Sequence, residues 1–171
     1  ESIHEITGWR WVFVTKFTDD LNVEVLAFWD TQKIVKAGSY TLPNTPCEVM
    51  VRNKKFTIFS DVALSFPKNE LLIHLGAKSY AGLVYYGKDH QPIGHIMGIH
   101  DSLDVDYQHV ENVIKLAALA ISSHLMLSHT QSELKSVKSL VDFDGLTQLR
   151  NRKAFENSCD KLAIDYRDKA E

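Results

Sequence analysis

The feature that most limits how this chain can fold is a run from residue 105 to about 140 that contains neither glycine nor proline. Nothing in it stops a helix. At 1.5 Å per residue such a helix spans about 50 Å, more than the width of a small domain. Its apolar residues fall on two stripes. Val110, Ile114, Ala117, Ile121 and Leu125 recur along one helix face and are expected to pack on a sheet. Val113, Leu116, Ala120, Leu127, Leu134, Val137 and Val141 follow a heptad seam that continues after the first stripe has ended. A seam that outlasts its domain needs another surface to cover it. The same helix in a second copy is the simplest one, so a homodimer through this helix is expected. Ser123 and Thr130 take core positions of the seam, which weakens it and leaves its register adjustable. Asp104, with Asp106 behind it, is expected to start the helix by accepting from its free N–H groups.

The residues ahead of this helix read as strands. Residues 9–17 are aromatic and β-branched, with Trp9, Trp11, Phe13 and Phe17 at even spacing on one face. A polar turn at 18–22 leads to a second strand at 23–29, and the two should form an antiparallel hairpin. Apolar residues stand on both parities, Val12 and Val14 against Leu26 and Phe28, so both faces of the sheet must be covered. A weaker strand at 34–40 ends at Leu42-Pro43-Asn44-Thr45-Pro46, where Thr45 can cap a short helix that has Pro46 in its first position. Residues 56–61 form a short strand, residues 64–76 are helical or irregular, and strands at 79–86 and 92–100 flank a turn at 87–91. The fold class is therefore α+β. The long connections between residues 46 and 79 carry small helices over the sheet, which is where a ligand site is expected.

Four segments, Thr45-Pro46-Cys47-Glu48-Val49, Phe59-Ser60-Asp61-Val62, Leu75-Gly76-Ala77-Lys78-Ser79-Tyr80-Ala81-Gly82 and Ile93-Gly94-His95-Ile96, in this order and spacing, resemble the GAF domain over about residues 8–127. Val84-Tyr85-Tyr86 departs from it, where many relatives have a proline and a leucine. The resemblance implies a GAF-like antiparallel sheet with helices on both sides, a long C-terminal signalling helix, and a pocket for an unknown small molecule. The pocket candidates are Cys47, Tyr80, Tyr86 and His95.

A second motif, Asp144, Leu146, Thr147, Leu149, Asn151 and Arg152 followed by Phe155, resembles the opening of a GGDEF domain. That domain is the catalytic module of diguanylate cyclases, which join two GTP molecules into cyclic di-GMP. In that family the opening motif is mainly structural. The signature loop and metal-binding aspartates do not follow it here, so GTP and magnesium would belong to a part that is not in this chain. The two resemblances imply a GAF domain at 1–127, a helical linker at 128–143 and the start of a GGDEF domain at 144–171. Helices that join such domains are thought to set the placement of two catalytic domains.

Other chemistries find less support. With 19 Lys and Arg against 22 Asp and Glu there is no basic excess, so nucleic-acid binding is not expected. Cys47 and Cys159 match no zinc or redox spacing and suit a reducing cytoplasm. No continuous apolar run approaches spanning length, so no membrane contact by this fragment is expected. His95 and His100 lie at odd separation on one strand and should face opposite ways, so no shared metal or haem site is expected; His95 is the one to test. His109, His124 and His129 sit on the helix and read as solvated or packing residues.

Cys47 stands at the start of a short helix, where a thiolate would be stabilised for redox or adduct chemistry, although a buried, inert cysteine is the commoner outcome. The local context that carries a bilin in phytochrome-like GAF domains is not seen. Asn53-Lys54 with Phe56 or Phe59 echoes cyclic-nucleotide-binding relatives, but Asp61 is followed by Val62. Asp101, Asp104 and Asp106 lack the glycine and terminal glutamate of a calcium loop. No phosphate loop or nucleophile elbow appears, so no catalytic residue is expected in this chain. Two functions remain: a sensor of a small molecule or redox state that acts through a dimeric helix, and a constitutive dimerisation module with a filled pocket and no ligand.

Overall fold

Strands β1 (Trp11–Phe17) and β2 (Asn22–Asp30) form where aromatic and β-branched residues alternate, and they pair antiparallel across the polar turn. The computed structural model describes residues 2–142, with side chains to residue 134. Helix α1 (Ser2–Thr7) precedes β1. Strands β3 (Lys33–Val35) and β4 (Ser39–Thr41) both pair with β2. Strands β5 (Thr57–Ser60), β6 (Ser79–Tyr86) and β7 (Pro92–His100) complete a 7-stranded sheet of order β3-β2-β1-β7-β6-β5, with β4 beside β2. Every pairing is antiparallel. The expected single strand at 34–40 is thus two short strands, separated where Lys36-Ala37-Gly38 leaves the ladder.

Helices α2 (Pro46–Asn53), α3 (Val62–Ser65) and α4 (Glu70–His74) lie in the connections between β4 and β6. The start of α2 follows the sequence reading: the Thr45 hydroxyl accepts from Glu48 N–H at 3.3 Å, and Pro46 fills the first turn. It ends where Lys54 turns left-handed at φ 54°. Helix α5 (Tyr107–Asp142) has 36 residues. It starts later than expected. Asp106, not Asp104, accepts from His109 N–H at 3.0 Å, while the Asp104 backbone N–H donates to the Ser102 hydroxyl at 3.1 Å in the turn that precedes the helix.

The sheet divides the core. Phe13, Val23, Tyr80, Met97 and Ile99 face α2, α3 and α4, where they meet Met50, Val62 and Leu72. Val12, Ala81, Tyr85 and Ile96 face the other way and meet Val110, Ile114 and Ala118 of α5. Alternation along each strand sends neighbours to opposite cores, and full burial of a residue such as Ile114 is worth about 1.5–3 kcal/mol. Trp9 corrects the even-spacing reading: it precedes β1 and packs with Val12 and α5, away from Trp11 and Phe13. Helices therefore cover both faces, as the mixed parity requires.

β1 and β7 keep a regular register only from Trp11↔Ile99 to Val14↔Ile96. At the bulge between Val14 and Thr15, side chains take over from the ladder. The Thr15 hydroxyl bonds the His95 carbonyl at 3.0 Å and accepts from His95 N–H at 3.2 Å, while the Tyr85 hydroxyl donates to the Thr15 carbonyl at 2.6 Å. A Cβ on Gly94 would overlap that carbonyl, which explains the glycine.

The chain divides into two units, Glu1–Leu125 and Met126–Glu171. In the second, the described part is the continuation of α5, in which Leu127 and Leu134 are 63% and 64% exposed. The side chain of Val137 and the GGDEF-like motif, Asp144, Leu146, Thr147, Leu149, Asn151 and Arg152, lie outside the described residues. By length and composition alone, α5 is long and apolar enough over Tyr107–Leu134 to cross a membrane, which a search for unbroken apolar runs does not detect. Part of that apolar character is used on the sheet, where Val110, Ile114 and Ala118 are buried.

Candidate ligand pocket

Between the sheet and its α2 and α4 cover lies a cavity of about 510 Å³, within the size range of small-molecule sites. Phe13, Phe28, Val25 and Ile99 form the sheet side, Pro46 and Cys47 come from the start of α2, and Leu71 and Leu72 from α4. The rest of the rim is the 37–45 segment, which includes Tyr40, together with Lys68 and Asn69 just before α4. Phe13 and Phe28 are partners across β1 and β2, and their rings stack with centroids 4.2 Å apart.

One end of the cavity is built from sulfur and hydroxyl groups. Cys47 Sγ donates to Met97 Sδ at 3.2 Å and accepts from the Tyr80 hydroxyl at 3.4 Å and the Tyr40 hydroxyl at 3.5 Å. Tyr40 Oη is also 2.6 Å from His95 Nε2. His95 is fully buried and its Nδ1 has no partner. A bare lone pair costs less than a bare N–H, so the tautomer with its proton on Nε2 fits best, donating to Tyr40 and leaving the Tyr40 hydrogen for Cys47. Burial lowers the His95 pKa to about 3, so the ring is neutral near pH 7. Burial also pushes the Cys47 thiol up, outweighing the bonds from Tyr40 and Tyr80 that act in the opposite direction. The helix start therefore does not yield a stabilised thiolate.

Crystal structures of GAF domains share this architecture. The GAF domain of a two-component sensor histidine kinase from Bacillus halodurans matches at TM-score 0.56 and 12% identity, over 79% of this chain and 90% of that one. The phycoerythrobilin-bound GAF domain of a cyanobacterial phytochrome matches at TM-score 0.61 and 16% identity, over 76% and 82%. The fold is that of a GAF domain. The phycocyanobilin-bound GAF domain of a cyanobacterial phytochrome gives TM-score 0.60 at 16% identity, over 76% and 81%. No protein-family model matches the chain, and no curated protein matches it.

In this GAF-like fold two of the four pocket candidates, Cys47 and Tyr80, line the cavity. His95 stands behind Tyr40 and reaches the site only through it. Tyr86 packs at the edge of the same core without lining the cavity. His95 and His100 point to opposite faces: His95 meets Phe17 and Tyr40, while His100 stacks on Trp9. Among the described residues no group of three His, Cys, Asp or Glu side chains is placed to hold a metal.

Sequence reasoning missed Tyr40, Met97, Phe13 and Phe28 as lining residues. Met97 shares the parity of His95 and Ile99, a signal that could have placed it on the pocket side. On α5, the seam residues Leu116, Leu127 and Leu134 are 67%, 63% and 64% exposed, Ala120 is exposed, and Val113 is half-buried.

Proposed function

We propose that this chain is a sensor: a small molecule enters the pocket, and its occupancy is passed to α5, which in a homodimer sets the placement of GGDEF output domains that make cyclic di-GMP from GTP. The observation that carries the reading is the unfilled, mostly apolar cavity of about 510 Å³ on the opposite face of the sheet from α5. Strand β6 offers the route between them. Tyr80 lines the cavity, and the strand is tied to α5 at both ends: the Tyr107 hydroxyl donates to Ser79 Oγ at 3.0 Å, and Tyr86 N–H donates to Ser122 Oγ at 3.4 Å. A ligand that fits one arrangement of the cavity better than another shifts the population of both.

The homodimer rests on the heptad seam, whose leucines are exposed along α5. The GGDEF output rests on the motif from Asp144 to Arg152. A cytoplasmic setting is part of the same proposal, since GTP is the substrate of that output. The raised thiol pKa of Cys47 favours ligand binding over redox sensing. The bilins bound by two of the similar GAF domains belong to those proteins. Nothing in the present pocket calls for one.

A native mass spectrum of the purified chain tests the proposal. A dimer with reproducible extra mass supports a sensor and supplies its ligand. A dimer of bare mass that takes up no small molecule from a fragment collection favours the constitutive module, and a bare monomer removes the helix-seam argument.

A further inference from the structure

The lining of the cavity separates by chemistry. Its walls are apolar and aromatic, and the hydroxyls of Tyr40 and Tyr80 are already engaged by Cys47 and, for Tyr40, His95. That end has little hydrogen-bonding capacity left for a charged guest, and burying an unpaired charge there would be strongly unfavourable. It suits the apolar body of a ligand.

The other polar lining is the neutral Ser39, Thr41, Asn44 and Thr45 of the 37–45 segment and, before α4, Lys68 and Asn69. Lys68 is the charged residue of the lining, and no aspartate or glutamate lines the cavity with it. Its side chain is exposed, and no carboxylate among the described residues pairs with it. Beside it, the Asn69 side-chain oxygen is held by Leu72 N–H at 3.2 Å, which leaves the Asn69 NH2 as a second donor. One cation and one amide donor next to an apolar chamber match a single anionic head that stays partly hydrated.

Resting on the sensor reading above, we infer that the pocket takes a compact apolar molecule ending in one carboxylate, held at the mouth by Lys68. Amines are excluded by the same charge. Polyanions find one cation in the lining to balance their charge.

The test uses the full chain labelled with 13C-methyl methionine and three probes of one shape: 3-phenylpropanoate, its amide and the corresponding amine. Met97 lines the cavity, and Met126 on α5 serves as the control. The carboxylate is expected to shift the Met97 methyl resonance at about five- to tenfold lower concentration than the amide, the factor a partly exposed ionic contact supplies. The amine should be weakest, and Lys68→Gln should bring the carboxylate level with the amide. Equal affinity for carboxylate and amide in the unaltered chain overturns the charge assignment and leaves the sensor reading standing. A preference that survives Lys68→Gln overturns the role of Lys68. No Met97 shift with any probe overturns both the inference and the pocket reading.

Discussion

The Tyr107 hydroxyl donates to Ser79 Oγ at 3.0 Å, and Ser79 in turn donates to the Ser102 carbonyl at 2.6 Å. Ser102 and Tyr107 thus fasten the first turn of α5 and the segment before it to the first residue of β6, one position before Tyr80 in the cavity wall. Tyr107→Phe removes one bond and leaves Ser79 its acceptor at Ser102. The fold should hold with a loss of about 1 kcal/mol, measured by urea unfolding, while any change that a pocket ligand induces in α5 is reduced.

His95 sets a pH dependence whose sign is fixed. Its folded pKa of about 3 lies below the ordinary 6.5, so between these values the unfolded chain binds a proton that the folded ring does not. The stabilisation is complete above about pH 6.5 and falls with pH at about 1.4 kcal/mol per unit. His95→Gln lacks this term. Between about pH 7 and about pH 5 the variant should lose about 2 kcal/mol less stability than the unaltered chain, read from denaturation midpoints at both values.

Cys47 is 2% exposed and its thiol is pushed up by burial. In a Cys159→Ser background a thiol reagent should label it only as fast as the fold opens. The rate should rise with mild denaturant, and rapid labelling under native conditions at neutral pH would contradict the burial.

Glycine replacements should rank by what their new Cβ meets. Gly94→Ala collides with the Thr15 carbonyl and the Tyr85 ring, both fixed, and is expected to cost about 3 kcal/mol. Gly82→Ala meets Met50 Sδ at 2.7 Å and Tyr80 Oη at 2.8 Å. The methionine can turn aside, so the loss should be smaller. Gly38→Ala meets nothing within 4 Å and should stay within about 0.5 kcal/mol by thermal unfolding.

The two stripes of α5 should respond differently. Ile114→Ala empties a buried site and is expected to cost about 3 kcal/mol. Leu134→Glu changes a residue that is 64% exposed, so the fold should keep its stability while a dimer seen by light scattering becomes monomer.

Much of this architecture could be read from the chain because it depends on local pattern. Thr45 and Pro46 start α2, and the glycine-free run gives α5. The failures have local causes too. Trp9 has the right spacing for β1 but precedes its ladder, and Asp104 resembles a cap but the helix starts two residues later, where Asp106 accepts from His109 N–H. The pocket was least legible. Tyr40, Phe28, Leu72 and Met97 come from β4, β2, α4 and β7, and nothing in one segment says which others it will meet. The register that joins Phe13 to Phe28 depends on the hairpin, and that of Tyr80 to Ile99 on strands separated by a turn.

A sheet that assigns alternate residues to separate cores has an evolutionary consequence. Residues such as Phe28, Tyr40 and Leu72 touch the cavity and not the α5 stripe, so they can be exchanged without disturbing Val110, Ile114 or Ala118. The cavity lining and the helix packing can then drift on independent schedules. A scaffold divided in this way can keep its fold at 12–16% identity, because neither core has to change in step with the other.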